Sequence, residues 1–473
     1  MLGAIVALSA CAAGPDYHAP QTAALGVPST YYGQGSAPIE TDLAQWWTRL
    51  GDPALDGLIQ KAIANNLDIA QAQARLRQAR EALVQANAAF LPQVNATGSG
   101  GKNYRSGTSG FQLDGNGNVI GSSTNSWSSS YSIGADASWE VDLFGGIRRS
   151  SEAARADLAA SGFDLAATRT AIIAELVTNY IQARLGQEQL RIARETLGNQ
   201  QDNYDIARWR LEAGLVSSLD QEQARAQLAQ TTATVPQLET SVKAALNRIA
   251  VLTGEAPGEA TKSLEQPMAI PLAPTDIAVG IPADTLRQRP DVRAAERALA
   301  AATARIGVAQ AALYPSLSIS GNIGTSATAF RDLTDIVTGG VFGRIAQTIF
   351  DGGRLRAQLR SQKAATDAAF AAYKGTVLTS IEDVENAVNA MKAARERAAQ
   401  FGIAFEASNN GAILARSQYQ AGLTDFQTLL TAEQTLLSAR NSLAGAQSDQ
   451  ALAVSQLYSA LGGGWQTMDG RPQ

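Results

Sequence analysis

Few side chains in this chain can make or break bonds. Among 473 residues there is one cysteine, Cys11, and one histidine, His18. A single cysteine excludes an internal disulfide framework and every zinc site built on paired cysteines. A Ser-His-Asp or Cys-His nucleophile would have to recruit His18 from a Pro- and Gly-rich stretch near the N-terminus. Gly100-Gly101-Lys102-Asn103 lacks the upstream glycine and the Ser or Thr of a phosphate-cradling loop. Gly115-Asn116-Gly117 falls inside a hairpin loop, not between a strand and a helix, so it makes a poor dinucleotide site. Lys plus Arg number 38 against 43 Asp plus Glu, a net charge of −5 that offers no basic surface to nucleic acid. An enzyme reading therefore has no residues to support it, and no cofactor or resident metal is expected.

Cys11 reads either as a buried thiol in a short apolar segment or, from the residues around it, as a lipidation site. Met1 to Ala10 are apolar and uncharged, too short to span a bilayer, and read as the tail of a signal-peptide hydrophobic region. Leu8-Ser9-Ala10-Cys11 resembles the lipobox of bacterial lipoproteins, where the cysteine thiol carries lipid and becomes the first mature residue. Ala12 in place of Asp is similar to lipoproteins sorted to the outer membrane. Residues 11–53 then read as a lipid-anchored tether, extended from Ala13 to Tyr32, with His18 an exposed bystander. No later stretch offers the roughly 20 apolar residues of a spanning helix, so any crossing of a membrane must use strands.

The elements that would hold such an anchor follow a repeated pattern. Asp52 and Pro53 announce a helix whose apolar residues recur at Leu55, Leu58, Ile59, Ala62 and Ile63 and on to Phe90. From Trp127 the period becomes two. Trp127, Tyr131, Ile133, Ala135, Ala137, Trp139 and Val141 share one face, with Ser, Gly, Asp and Glu opposite. Pro92 to Gly101 supplies a weaker partner strand, and a Gly/Ser/Asn-rich loop covers 102–125. A transmembrane β-hairpin has this pattern, and so does a soluble hairpin packed on a helix. Helical periodicity then runs from about Ser150 to Ala213, roughly 90 Å at the usual rise, which points to coiled-coil-like packing. Gly214 turns the chain, Ser217 or Ser218 caps the next helix, and Pro236 is expected to kink it.

The second half repeats this order. A helix opens at Pro290, strands follow over about 314–350, Asp351-Gly352-Gly353 matches the Gly145-Gly146 joint, and a very long helix reaches the turn at Gly422. Pro92 and Pro315 are 223 residues apart, as are Gly98 and Gly321. The chain thus divides into a signal remnant (1–10), the tether (11–53), a first repeat (54–253, strands about 92–143), a linker (254–282), a second repeat (283–461) and a tail (462–473). Four strands cannot close a barrel, because known spanning barrels need about eight. The chain oligomerises, or its hairpins do not span.

At this point a family resemblance is specific. Leu286-Arg287-Gln288-Arg289-Pro290-Asp291-Val292-Arg293-Ala294-Ala295-Glu296, Ala304-Arg305-Ile306-Gly307-Val308-Ala309-Gln310-Ala311 and Ala421-Gly422-Leu423-Thr424-Asp425-Phe426 carry it, with Trp46-Trp47 and Asp52-Pro53-Ala54-Leu55. The chain resembles outer-membrane factors of the TolC superfamily, in the NodT/OprM-like lipoprotein branch that serves resistance-nodulation-division (RND) efflux pumps. The resemblance implies an α+β membrane protein, a homotrimer with a twelve-stranded transmembrane β-barrel and a long periplasmic α-helical barrel. It implies a passive gated conduit for drugs or other small toxic compounds in the outer membrane of a Gram-negative bacterium. Its partners would be outer-membrane lipid, a periplasmic adaptor and an inner-membrane RND pump, and its one covalent group a lipid on Cys11. A type I protein-secretion channel and a non-conducting periplasmic coiled-coil scaffold are the alternatives.

The turns at Gly214 and Gly422 lie farthest along the helices from the strands and so read as the periplasmic mouth. Asp220 and Glu222 follow the first, Asp425 and Glu433 the second. In a trimer each forms a ring of carboxylates able to select cations or hold a gate. Acids in first helical turns also simply favour the helix dipole. Tyr419 matches a tyrosine near the family's gate, whereas Gln420 and Gln434 stand where relatives carry Arg, and Thr431 where they carry an acid. A looser gate is expected, closed by Tyr419 and by packing around Leu423.

Overall fold

The computed structural model describes residues 12–28, 43–106, 108–113, 119–123, 126–258, 262, 264–271 and 288–465. Cys11 lies outside them. Asp52 opens the first helix, α1 (Pro53–Asn65), by accepting from the amides of Ala54 and Leu55, and Pro53 takes the first helical position where no amide is needed. The periodicity predicts one helix to Phe90, but the chain breaks at Asn66, whose backbone is extended (ψ 134°). Its side-chain oxygen caps α2 (Leu67–Ala88) through the amides of Asp68 and Ile69, and its amide group donates to the Leu252 carbonyl. An apolar stripe carries no record of such a break, because both helices keep the same buried face.

The remaining helices are α3 (Gly146–Glu212), α4 (Ser218–Leu252), α5 (Pro290–Ala311), α6 (Arg354–Gln420) and α7 (Phe426–Ala460). The duplication is exact in length. Helices α2 and α5 have 22 residues each, α3 and α6 have 67, and α4 and α7 have 35. Helix α3 starts at residue 146 because Asp142 accepts from the amides of Ile147 and Arg148, and Asp351 serves α6 in the same way through Leu355. Helix α4 is continuous through Pro236. Among the described residues no helix is long and apolar enough to cross a membrane.

Among the described residues six strands lie between the helices, β1 (Gln93–Arg105), β2 (Thr108–Leu113), β3 (Val119–Ser123), β4 (Ser126–Val141), β5 (Ser316–Ala327) and β6 (Val337–Ala346). The described part of the stretch read as a loop over 102–125 therefore extends β1 and adds the paired strands β2 and β3. Polar residues such as Asn103, Ser109 and Ser122 pair there through their backbones, which a side-chain pattern does not register. The last strand stops at Ala346, short of the Phe350 expected, leaving Ile349 and Phe350 about nine-tenths exposed before the helix cap. One antiparallel sheet runs β1-β4-β5-β6, with β1 and β6 at its edges. Its register sorts the side chains: Tyr104 opposes Trp127, Ala135 opposes Ile323, Trp139 opposes Ile319 and Leu317 opposes Ile345. The other face carries pairs such as Ser99 with Ser132, Asp136 with Asn322 and Ser138 with Ser320.

Contacts divide the chain into two interleaved units. One comprises 1–19, 78–158 and 297–370 and holds the strands; the other comprises 20–77, 159–296 and 371–473. The second unit contains the main core, with Leu55, Ile59, Ile173, Leu176, Val177, Val384 and Leu457 sealed from solvent. Segments read as tether, linker and tail contribute to it. A 3₁₀ turn, Trp46–Leu50, buries both tryptophans, and Trp46 stacks on Tyr458 at 5.2 Å. Arg184 and Gln187 donate to the Leu264 carbonyl, and Trp465 donates to the Gln288 carbonyl. The Arg-Pro-Asp motif is structural: buried Arg289 forks onto Asp291 (3.0 and 2.6 Å) and donates to Asp383 and the Ala460 carbonyl, joining the start of α5 to the middle of α6 and the end of α7.

Asn66→Ala removes a cap and orphans the buried Leu252 carbonyl, so it should cost about 1–3 kcal/mol. The expected readout is a lower midpoint of helix loss, followed by circular dichroism in detergent; an unchanged midpoint would show the break to be fixed elsewhere.

Candidate functional site

The two helix turns share one geometry. At the end of α3 the Gly214 amide donates to Leu211 and the Leu215 amide to Arg210; at the end of α6 the Gly422 amide donates to Tyr419 and the Leu423 amide to Gln418. Both glycines take φ 73°, which a Cβ would oppose, so both halves use the same left-handed cap. Ser217 then caps α4 through the Leu219 amide, and Asp425 caps α7 through the Thr428 amide. Hydrogen bonds from Thr428 hold the exposed Asp425 carboxyl below the usual carboxylate range. Leu423 is 78% exposed and Leu215 73%, so the leucine expected to pack a gate shut is instead open in the single chain.

The candidate residues fall into two groups. Gln420, Thr431 and Glu222 are exposed; the Thr431 hydroxyl donates back to the Gln427 carbonyl, and Glu222 pairs loosely with Arg225 at 3.7 Å. Tyr419 and Glu433 are turned inward. Tyr419 is buried with Ala207, Ala224, Ala415, Phe426 and Leu429, its ring 5.6 Å from Phe426 and 4.4 Å beneath the Arg210 guanidinium. Burial pushes its hydroxyl pKa up, opposed by Arg210, while half-buried Asp220 adds to the rise. Glu433 follows Phe426 and Leu429 at helical spacing and so shares their buried face.

That placement makes Glu433 a junction. Its carboxylate accepts from Asn203 Nδ2 on α3 at 2.6 Å and from Arg416 Nη2 on α6 at 2.9 Å. One acid on α7 thus ties three helices together. Three further contacts join the two helical hairpins nearby. Arg210 donates to the Tyr419 and Gln420 carbonyls, Gln434 donates to Gln227 at 2.8 Å, and Arg440 pairs with Glu195 at 3.2 Å. Exposed pairs of this kind contribute about 0–1 kcal/mol each, whereas the enclosed Glu433 contacts cannot be exchanged freely for water. Gln434 is a neutral partner across the hairpins. The sequence reading missed Asn203, Arg210 and Arg416. Asn203 lies in a polar run, Gln200 to Asp205, and nothing local marks the one residue that faces an acid 230 positions away.

Among the described residues no group of three or more acid, His or Cys side chains is placed to hold a metal ion. Comparison with known proteins agrees with the geometry. The family described as outer membrane efflux protein matches residues 58–255 and 281–463. Nodulation protein T of Rhizobium leguminosarum bv. viciae is 35% identical over 388 residues, covering 81% of this chain and 76% of the relative. Pyoverdine export outer membrane protein OpmQ of Pseudomonas aeruginosa is 31% identical over 468 residues, covering 99% and 97%. Among solved structures, the outer-membrane channel OprN superposes with a TM-score of 0.85 at 35% identity, covering 97% of this chain and 100% of that one.

Among the described residues no partner meets the buried Tyr419 hydroxyl at full hydrogen-bond geometry, and the Arg210 guanidinium is the one polar group near enough to oppose the rise of its pKa. Tyr419→Phe should therefore be neutral or mildly stabilising, while Tyr419→Ala should cost about 3–5 kcal/mol by opening a cavity. Chemical denaturation of the two variants checks this, and a large loss in Tyr419→Phe would mean that the hydroxyl is bonded after all.

Proposed function

Because the chain belongs to the outer membrane efflux protein family, we propose that it forms the passive, gated outlet of a tripartite pump. It is an efflux channel of the outer membrane with helices in the periplasm. The observation that carries the proposal is the four-stranded sheet, apolar on one face and polar on the other, with the outer edges of β1 and β6 unpaired among the described residues. Strand edges cannot stay open in lipid. Three copies, each laying β6 against the next β1, supply twelve strands and close the ring. The apolar face with Trp127, Ile133, Trp139, Ile323 and Ile345 then meets lipid, and the Ser- and Asn-rich face lines a water-filled pore.

In this reading the chain spends no energy, since its sequence holds no nucleotide site or catalytic set. Transport is driven by an inner-membrane RND pump, reached through a periplasmic adaptor. The cargo is a drug or other small toxic compound; one relative is named for the export of pyoverdine. No cofactor takes part, and a lipid on Cys11 adds a second hold on the membrane. Several acyl chains at about 0.8 kcal/mol per buried CH₂ bind firmly by themselves.

The gate we assign to the contacts between the two helical hairpins, with Glu433 at their centre and Tyr419 packed beneath Arg210. Opening separates the hairpins and must break the Asn203–Glu433–Arg416 junction. Glu433→Gln and Asn203→Ala each weaken it by about 1–3 kcal/mol, which shifts the closed-to-open ratio roughly 5- to 150-fold. Single-channel recording in planar bilayers should show a raised open fraction in both variants and an unchanged one in Thr431→Ala. Wild-type gating in both junction variants would remove the gate from this place. Protein extracted from membranes should also migrate as a heat-sensitive trimer; salt-extractable, soluble protein would argue against a channel.

A further inference from the structure

The residues just after Cys11 are not a loose tether. The Ala13 amide donates to the Phe144 carbonyl at 2.9 Å, adjoining the joint between β4 and α3. Arg149, with a side chain only 6% exposed, closes over the segment. Its Nε donates to the Ala13 carbonyl (3.2 Å), its Nη2 to the Gly14 carbonyl (3.4 Å) and to Asp16 Oδ1 (2.6 Å), and its Nη1 to Glu152 (2.7 Å). One turn further on, the Arg297 guanidinium lies 5.8 Å from the Tyr17 ring centre. A guanidinium this enclosed is held by two carboxylates and two carbonyls, three of these four partners coming from the segment or its flank.

Glycines make the room. A Cβ on Gly307 of α5 would lie 2.7 Å from the Ala13 carbonyl oxygen and 2.7 Å from Arg149 Cγ. A Cβ on Gly145 would lie 2.8 Å from the Ala12 Cα, and one on Gly14 would lie 2.4 Å from the Gly307 Cα. Such distances are closer than side-chain carbons pack, so the three positions accept only hydrogen while the segment is seated.

The internal repeat provides a control within the same molecule. Laying the equal-length helices α3 and α6 on each other pairs Gly145 with Gly353 and Arg149 with the exposed Ala357, and no described atom lies within 4 Å of a Cβ at Gly352 or Gly353. The 223-residue offset between Pro92 and Pro315 pairs Gly307 with Val84, which is 55% exposed. The filled groove thus lies between the first copy's joint and the second copy's helix α5; at the second copy's joint nothing among the described residues packs on the glycines, and α2 carries a valine at the matching helix position.

We propose that Gly145, Arg149 and Gly307 form a dedicated seat, one per chain, for the chain's own segment Ala12–Asp16. The seat fixes the peptide that follows the anchor to the helix-side end of β4. It rests on reading Cys11 as the acylated residue for its consequence: the acyl chains enter the bilayer at a set place on the barrel rim, not at the end of a slack leash. The glycine in Ala304-Arg305-Ile306-Gly307 thereby acquires a role that helix propensity opposes, since glycine weakens a helix interior by about 1 kcal/mol.

Chymotrypsin cutting after Tyr17 tests the seat on the full-length trimer purified in detergent, with cleavage followed by the mass lost from the N-terminus. Arg149→Ala and Gly307→Val should each speed this cut at least tenfold with the trimer intact on unheated gels. Wild-type rates in both would overturn the seat. Where Arg149→Ala fails to assemble, Asp16→Ala decides instead, because it removes only the 76% exposed partner of the ion pair and should speed the cut a few-fold; a wild-type rate there counts against the proposal. Metabolic labelling with radioactive palmitate separates the two readings. Label in the wild type but not in Cys11→Ser supports the anchor, and its absence from the wild type overturns the acylation reading while the cleavage rates still judge the seat.

Discussion

An unpaired strand edge in hydrocarbon leaves a row of amides and carbonyls without partners, and each costs several kcal/mol. Everything else in this protein answers that constraint. The chain makes a sheet of only four spanning strands, with edges at β1 and β6, so it is incomplete as a membrane protein until other copies cover both edges. The polar face of serines, asparagines and glycines is likewise intelligible only around an enclosed aqueous space. A monomer in water would expose Val341, Ile345 and Trp127, each well over half accessible. Oligomerisation is therefore a condition of folding in the membrane, not a later refinement.

The long helices solve a different problem with small residues. Ala166, Ala183, Ala207, Ala245, Ala387, Ala415, Ala444 and Ala451 are among the buried side chains, and they let helix backbones approach closely without a thick apolar stripe. Such helices carry weak amphipathic signals because a helix in a wall faces neighbours on two sides. Close alanine packing leaves little room for large polar groups, so those that are enclosed stand out. Arg289, Arg184 and Glu433 are each held by several partners on separate chain segments. Buried charges of this sort are costly to strip of one partner, which makes them good positions for holding an arrangement and poor ones for drift.

The two places where segments must part or be held differ in construction. At the hairpin turns, where we place the gate, exposed polar contacts that water can replace surround one enclosed acid that holds the hairpins together. At the joint after β4 the connection is a glycine-walled groove closed by an enclosed arginine, suited to staying shut. The internal duplication makes this contrast legible. Both copies have identical helix lengths and the same glycine turns, yet among the described residues only the Gly145 joint has a segment of the same chain packed on its glycine.

Periodicity and composition set out the elements, and the motif resemblance, not the pattern, pointed to the class of the protein. One cysteine and one histidine left few side chains for bond-making chemistry; the change from helical period to period two located the strands; and the repeated offsets exposed the duplication. These are properties of neighbouring residues, which the sequence displays directly. The break at Asn66, the strands within the 102–125 stretch and the docking of Trp46 and Trp465 were decided by tertiary structure. Each depends on a backbone group or a cavity contributed from far along the chain. The candidate gate divided along the same line. Gly214, Gly422 and Asp425 could be found because left-handed turns and helix caps are local. The inward turn of Tyr419 and Glu433, and their partners Arg210, Asn203 and Arg416, could not, because an acid becomes a junction only when three helices bring their donors to it.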